Sequence, residues 1–453
     1  MEKHKGFHFI SPKCIIPLLL ASFLWIIVIL SNPNFHVHLI SSSSNHNDTS
    51  TVPYQSPRCN IDIVPFYIYD LPDQFNAARL RRCHYLHPRM EMCGFVANRG
   101  LGQPIAQRPS WYVTSEAMSE LLFHARAETH PCRVYDPHIA RMFYIPFYTG
   151  QYVSSVKEEN NLTRRDATGV ELAAYLSKFP SFHRQGGLDH FLIMGSRTWE
   201  GLRPENLMGT DFGTNRILRL PEFSNLTILT VDSDLYVKQP VQMGIPYPSY
   251  FHPSTSDEMV SWQETVRHTK RTQLFSYIGG VRPWSMSADI RSKLLKLCKS
   301  SDNCAVIECE KRTVCYEPNK IMDLMTQSHF CLQPSGDSPT RRAIFDSVLA
   351  GCVPVFFNKD TAYNQYPWYL PKHPDEWSVF IEPDHINQLE KVLKRIPEKK
   401  IKQMREVVIE MIPRVTYVHP NASRDEISFW DVVDVALAAL TKQVKLAQHE
   451  SMK

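Results

Sequence analysis

Residues 333–354 read QPSGDSPTRRAIFDSVLAGCVP, a polar turn between an apolar strand pattern and a helical one that runs on to a second strand. A strand, a turn and a helix start together make a place for an anion. The amides around Ser335, Gly336 and Ser338 can face a phosphate at the helix N-terminus, and Gly336 allows close backbone approach. Arg341 and Arg342 stand in the first turn, where the helix dipole favours acids, so a bound anion would account for them, although one of the pair serves equally as a solvated side chain. Asp346 is spaced to accept hydrogen bonds from a ribose diol, or simply to pair with Arg342 at i, i+4. A second element, FSYIGGVRP, ends a strand at Gly279 and Gly280 and carries Arg282 out of the next turn, where a guanidinium can grip diphosphate oxygens two at a time.

Transfer chemistry on such an anion also needs a base. Asp70 ends the first strand and faces a cleft by the strand-end rule, or caps the turn at Leu71-Pro72; Asp189 and His190 precede another strand, where capping explains them equally well. Asp211 and Glu222 are loop acids in the same half of the chain. Asp232-Ser233-Asp234 sets two carboxylates directly after an apolar strand, as in sites that hold a divalent cation, but so short a motif also reads as a solvated acidic loop. Trp111, Tyr144, Phe147, Tyr148, Tyr152 and Trp199 offer rings on which sugar faces could stack, or belong to the core.

The elements that would position these groups follow from periodicity. Strand patterns at residues 64–69, 142–147, 191–194 and 226–231 alternate with helical ones at 115–127 and 170–179. After a Pro- and Ser-rich stretch at 244–256 a second series follows: strands at 274–278, 330–333 and 353–357, helices at 288–298 and 340–349. Helical patterns at 401–411 and 426–445 complete the chain, and no repeat occurs. Such alternation predicts βαβ units, two mainly parallel sheets, and ligands at the carboxyl ends of the strands. The chain has 453 residues, room for two or three domains, with 43% hydrophobic and 21% charged residues, as in ordinary globular proteins. Its 50 basic residues against 46 acidic ones leave a net charge of only +4, too even for a general nucleic-acid-binding surface.

Residues 14–30, CIIPLLLASFLWIIVIL, form an apolar run near the lower length limit for a spanning helix. Lys3, Lys5 and Lys13 precede it and the next basic residue is Arg58, so the positive-inside rule puts residues 1–13 in the cytosol and the bulk of the chain in a lumen. A cleaved signal peptide is the alternative. Residues 32–57 read as a Ser-rich stem. Asn47, Asn161, Asn225 and Asn421 each begin a glycosylation sequon. One of the 11 cysteines, Cys14, falls in the apolar run, and the even number beyond it suits disulfides. Cys298, Cys304, Cys309 and Cys315 are too widely spaced for the usual zinc ligand pairs and read as local bridges. Cys331 and Cys352 lie in apolar surroundings that leave thiol or disulfide open.

YIYDLPDQFN, RPSWYVTSEAMSELLFHA, GGLDHFLIMGSRTW, FSYIGGVRP and HFCLQPSGDSPTRRAIFDSVLAGCVPVFF, in this order, resemble the plant exostosin family, specifically its xyloglucan galactosyltransferase KATAMARI-like group. The resemblance covers nearly all of the chain after the stem. It implies a GT-B fold of two facing Rossmann-like domains with a cleft between them, plus an N-terminal transmembrane helix at 14–31. It also implies an acceptor-side domain at 58–245, a UDP-sugar domain at 246–400 and C-terminal helices at 401–453. The implied activity is inverting transfer of galactose from UDP-galactose to xylosyl branches of xyloglucan, in cell-wall synthesis, by a type II Golgi membrane protein. Related donors (galacturonic acid or arabinose), another wall polysaccharide, or a non-catalytic lumenal role in a transferase complex are the alternatives. No metal or cofactor is implied beyond the UDP-sugar, and the partners implied are that donor, the xyloglucan acceptor, the Golgi membrane and other wall transferases. Arg282, Ser335, Gly336, Arg341 and Asp346 become donor-site residues by the resemblance, with Asp337, Ser338 and Arg342 of the same turn beside them.

Overall fold

A computed structural model describes residues 57–205, 213–281, 288–309, 315 and 317–451. The expected anchor, nearly all of the stem, Asn47, Asp211 and Arg282 lie outside the described residues. Among those residues no helix is long and apolar enough to cross a membrane.

Two sheets, parallel throughout, organise the chain. The first comprises β1 (Phe66–Ile68), β2 (Arg133–Val134), β3 (Met142–Ile145), β4 (His190–Arg197), β5 (Thr227–Asp232) and β6 (Val241–Gly244), in the spatial order β2-β1-β3-β4-β5-β6. The second comprises β7 (Gln273–Gly279), β8 (Cys304–Glu308), β9 (Ser328–Gln333), β10 (Val353–Phe356) and β11 (Val379–Phe380), in the order β11-β10-β9-β7-β8. In each sheet the second strand lies on one side of the first and the third on the other. That reversal is the switch point of a doubly wound fold, where a crevice opens at the carboxyl ends. The fit is to a GT-B-type pair of Rossmann-like lobes.

Burial explains why the strands were legible. All four residues of β3, MFYI, and all four of β10, VPVF, are buried, as happens when helices cover both faces of a parallel sheet. The short strands β2, β6, β8 and β11 carry half-exposed side chains and left no pattern to read. Helix Ser256–His268, which periodicity alone had not indicated, announces itself by its ends. The Thr255 side chain accepts from the Glu258 amide, Asp257 and Glu258 fill the first turn, and Arg267 and His268 the last.

The lobes share one hydrophobic core that runs from Phe66, Ile193 and Val231 to Ile344, Val348 and Val433. Beyond the second sheet, helix Glu398–Glu410 stays with its own lobe, whereas the last helix, Val432–Ser451, returns to the first. There Arg126 Nε donates to Asp431 Oδ2 at 2.9 Å, and His130 Nε2 lies 3.0 Å from Asp434 Oδ1, all four side chains being buried. All ten cysteines beyond Cys14 pair: Cys59–Cys132, Cys83–Cys93, Cys298–Cys304, Cys309–Cys315 and Cys331–Cys352. The local bridges are as expected, and the last pair closes the question of two buried thiols. Asn161, Asn225 and Asn421 are exposed.

Removing Arg126 would strand the buried carboxylate of Asp431, while Asp434 would keep His130. Arg126→Ala should therefore lower stability by about 3–5 kcal/mol in urea unfolding; a loss below about 1 kcal/mol would show that the ion cluster does not hold the last helix to the first lobe.

Candidate functional site

The loop after β9 meets the carboxyl ends of β4 and β5. Ser338 Oγ donates to Asp232 Oδ2. Arg197, at the end of β4, lies 3.8 Å from the Asp337 carboxylate and 3.9 Å from that of Asp232. Ser233 donates its amide and hydroxyl to Gln365 Oε1, at 3.0 and 2.6 Å. The Tyr366 hydroxyl donates to the Val231 carbonyl at 2.7 Å. The two sheets thus meet by their carboxyl ends, the geometry that puts a cleft between them.

Ser335, Gly336 and Ser338 come together as expected. They line a crevice of about 460 Å³ with Ile290, Phe357, Asn358, Lys359, Phe380 and Glu382, at the ends of β9, β10 and β11. Its volume suits one small ligand. The Gly336 side is open: a Cβ built there meets nothing nearer than the Thr340 and Ser338 carbonyls, at 3.7 and 3.8 Å. Asn358 and Lys359, in the loop after β10, carry no motif, and Phe380 and Glu382 belong to the short strand β11 and its end, which left no pattern. They supply what the glycine-rich turn lacks: an ammonium, an amide, a ring face and a carboxylate.

Several expectations need correction. Helix Ala343–Leu349 starts three residues later than the pattern suggested, and the Gly336 amide donates to the Ser338 carbonyl at 2.8 Å, so the turn closes on itself and is not the first turn of a helix. Arg341 reaches backwards: its guanidinium donates to the Pro334 and Ile278 carbonyls, at 3.3 and 3.1 Å, clasping the ends of β9 and β7. Arg342 turns away from the crevice, stacks 3.8 Å over the Tyr250 ring and donates to the Thr114 carbonyl of the first lobe at 2.6 Å. Asp346 is buried, takes a 2.6 Å hydrogen bond from Ser249 and lies 3.4 Å from Arg342, so its carboxylate is spent between the lobes and does not reach a ribose in this crevice. Gly279 and Gly280 also have structural reasons. A Cβ on the first would lie 2.6 Å from the Tyr277 hydroxyl, and one on the second 2.9 Å from the Cys309 carbonyl.

Asp189 and His190 are not in the cleft. They stand at the amino end of β4, both buried, with His190 Nδ1 2.7 Å from Asp189, His190 Nε2 2.8 Å from the Tyr69 hydroxyl, and Arg184 3.0 Å from Asp189. Burial lowers the histidine's pKa, and every polar atom of the pair has a partner, so this is a packing device rather than a base. Asp70 is exposed at the carboxyl end of β1, in a separate crevice. Trp111, Tyr144, Phe147, Tyr148 and Tyr152 are core residues, and Trp199 is half-buried, so they form no platform. The Asp232-Ser233-Asp234 stretch is not a solvated loop: Asp232 and Ser233 are buried against the second lobe. Among the described residues the one grouping with metal-ligand geometry, Cys83, His84 and Cys93, has its two thiols joined in a disulfide.

Two further first-lobe groups escaped notice for want of any motif. Glu116, exposed and capped into place by the Ser115 side chain at the start of the helix Ser119–Glu128, lies within electrostatic range of Arg197, Arg342 and Tyr247. Thr114, two residues before Glu116, accepts from Arg342, so Glu116 is an exposed carboxylate near the junction of the lobes. Arg197 itself, with Glu200 and Asp232 beside it, places a cation at the same junction.

The Exostosin GT47 domain family matches residues 63–396. With its paired doubly wound sheets and a cleft between their carboxyl ends, the molecule is a glycosyltransferase, and the chain belongs to the exostosin GT47 family. It is 46% identical, over 84% of its length and 82% of the relative's, to "Probable xyloglucan galactosyltransferase GT17" of Arabidopsis thaliana. To "Xyloglucan galactosyltransferase MUR3" of the same plant it is 37% identical, over 87% of this chain and 64% of that one. To "Xyloglucan galactosyltransferase XLT2" it is 35% identical, over 86% and 76%. The crystal structure of the pneumococcal O-GlcNAc transferase GtfA in complex with UDP and GlcNAc aligns over 62% of this chain and 60% of that one, at 10% identity and a TM-score of 0.30, too slight a likeness to build on.

Two measurements probe the junction. Gly336→Ala, which has room and no positive φ to strain, should melt within about 2 °C of wild type yet weaken UDP binding at least about fivefold; unchanged UDP affinity would remove this turn from the donor site. Burial raises Asp232 to a pKa of about 6 despite the hydrogen bond from Ser338 and the charge of Arg197. An acid raised in the fold binds its proton more tightly there, so the fold loses stability as pH rises from about 4 through about 6, by on the order of 3 kcal/mol. Asp232→Asn should accordingly melt higher than wild type above pH about 6 and converge with it near pH 4; a gap that does not vary with pH would contradict the raised pKa.

Proposed function

We propose that this protein transfers galactose from UDP-galactose to xylosyl side chains of xyloglucan with inversion, as a Golgi enzyme held by a type II anchor at residues 14–31. The observation that carries the reading is the open Gly336 turn, with Ser335 and Ser338, set at the carboxyl ends of the second sheet, where Arg197 of the first lies 3.8 Å from the Asp337 carboxylate of the same turn. The names of its Arabidopsis relatives supply the sugar and the acceptor. The exposed sequon asparagines and the full set of disulfides support a lumenal site and a glycoprotein.

In this reading the donor's nucleotide occupies the crevice. The Phe380 ring faces its base, Glu382 its ribose, and Lys359 with the Ser335 and Ser338 hydroxyls its diphosphate. Arg282, three residues beyond the end of β7 in the sequence, is assigned to the same diphosphate. Arg341 acts at one remove, fixing the ends of β7 and β9 that carry the turn. The acceptor hydroxyl oxygen attacks the anomeric carbon from the face opposite UDP. As that bond forms, the bond to the diphosphate oxygen breaks and its electron pair leaves with UDP, while the hydroxyl proton passes to a carboxylate of the first lobe. Glu116 suits this role better than Asp70, because β1 stands two strand spacings, about 10 Å, from β4, where the two lobes meet. Neutralisation of the leaving group by lysine and arginine makes a metal unnecessary.

The test uses the full-length protein in detergent with UDP-galactose and xyloglucan oligosaccharides, with and without EDTA. A gain of one hexose that survives chelation is expected. A different mass gain would replace the galactose assignment, and loss of activity restored by manganese would give Asp232 and Asp234 a metal role. Glu116→Gln should lower turnover at least about 100-fold while UDP affinity holds; a larger loss in Asp70→Asn would return the base role to Asp70.

A further inference from the structure

A crevice of the first lobe, about 580 Å³, opens at the carboxyl ends of β1 and β3, the switch point of that sheet. Tyr67, Asp70, Arg99, Glu128, Tyr135 and Tyr148 line it. By position it is the place where an open α/β sheet takes its ligand, yet the donor chemistry above does not use it.

Its charges decide what kind of ligand fits. Arg99 is tied to Glu128, and the Arg133 guanidinium donates to the Glu128 carbonyl at 3.0 Å and packs 4.5 Å from the Tyr135 ring. His124, whose Nδ1 is 3.0 Å from the Tyr148 hydroxyl, is held neutral by burial. The cations of the lining are therefore engaged, while Asp70 stands exposed at its mouth and Asp73 beside it pairs with Arg81 at 2.7 Å. With those cations engaged, the carboxylate of Asp70 at the entrance disfavours a phosphate or any other polyanion. Tyr135, 78% exposed with Arg133 on one face, offers its other face to solvent, and Tyr67 is half-buried beside it in the lining. Ring faces next to carboxylate acceptors suit a neutral, hydroxyl-rich ligand, whose apolar faces stack and whose hydroxyls donate.

We infer that this crevice binds remote sugar units of the oligosaccharide acceptor, on the side of the first lobe away from the reacting centre. The inference rests on the reading above that the acceptor is a neutral polysaccharide. The β1 end lies about 10 Å across the sheet from the β4 end where the lobes meet. A ligand touching both is a chain rather than a single sugar, and the crevice therefore selects acceptors by length.

The test compares the acceptor KM of the full-length protein for a long xyloglucan oligosaccharide and for a minimal xylosylated one. Tyr67→Ala, Tyr135→Ala and Asp70→Asn should each raise the KM for the long acceptor about tenfold, the worth of one stacking or charge-assisted contact, and at least about fivefold more than the KM for the minimal acceptor or for UDP-galactose. Tyr236→Ala, an equally exposed ring outside the crevice, serves as the control and should change none of these. Long and minimal acceptors affected alike, or a long-acceptor KM within about twofold of wild type in all three variants, would overturn the inference. Wild-type protein that moves no hexose to xyloglucan would sink the functional reading instead. A neutral-glycan array then decides the crevice: binding lost in Tyr135→Ala upholds it, and binding to no neutral glycan overturns it.

Discussion

The buried guanidinium of Arg342 fixes the relation of the two lobes, and the rest of the site is built around it. A charge taken out of water is stable only when partners surround it. Here they come from both sides: the Thr114 carbonyl and Tyr250 ring on one, Asp346 on the other, with Ser249 holding Asp346 in turn. Because the helix carrying Arg342 and Asp346 follows the Ser335–Ser338 turn, anchoring it also sets where that turn lies against β4 and β5. The shared hydrophobic core acts in the same direction, so lobe position and loop position are one constraint.

Adjacent residues in that segment divide the work. Arg341 clasps the ends of β7 and β9 within its lobe, whereas Arg342, one position on, reaches the other lobe. The sequence shows two arginines and no way to tell them apart, since each direction depends on what the helix start faces. Their count was read as phosphate binding, but both have structural work. In the proposed reading the positive charge for the diphosphate comes instead from Lys359, which the fold brings in from the loop after β10, and from Arg282.

The readability of the sequence follows the same line. Buried strands such as β3 and β10 were legible because both faces are covered and every residue is apolar. The turn at residues 335–338 was legible because a glycine and small hydroxyls between strand and helix have few other uses. Asp189-His190 misled because a charged pair before a strand looks the same whether it faces a cleft or plugs the opposite end, and only register places it at the amino end of β4. Asp232-Ser233-Asp234 misled because its partners, Ser338 and Gln365, lie more than 100 residues away. Glu116 and Tyr135 carried no signal at all: an exposed acid on a helix start and an exposed ring in a loop are common, and become notable only beside Arg197 or at a sheet's switch point.

The polar contacts between the lobes also differ in how readily they could yield. Removing Arg342 from Thr114, Tyr250 and Asp346 would expose buried charge, and separating the lobes would break the common core, so opening the cleft by moving whole lobes is costly. Ser338 and Asp232 are joined by one short hydrogen bond, at a carboxylate whose charge burial already disfavours. Of the two, the second is the contact that can exchange at small cost. The turn at residues 335–338 thus lies between a strand end clasped by Arg341 and a helix start held to the first lobe by Arg342.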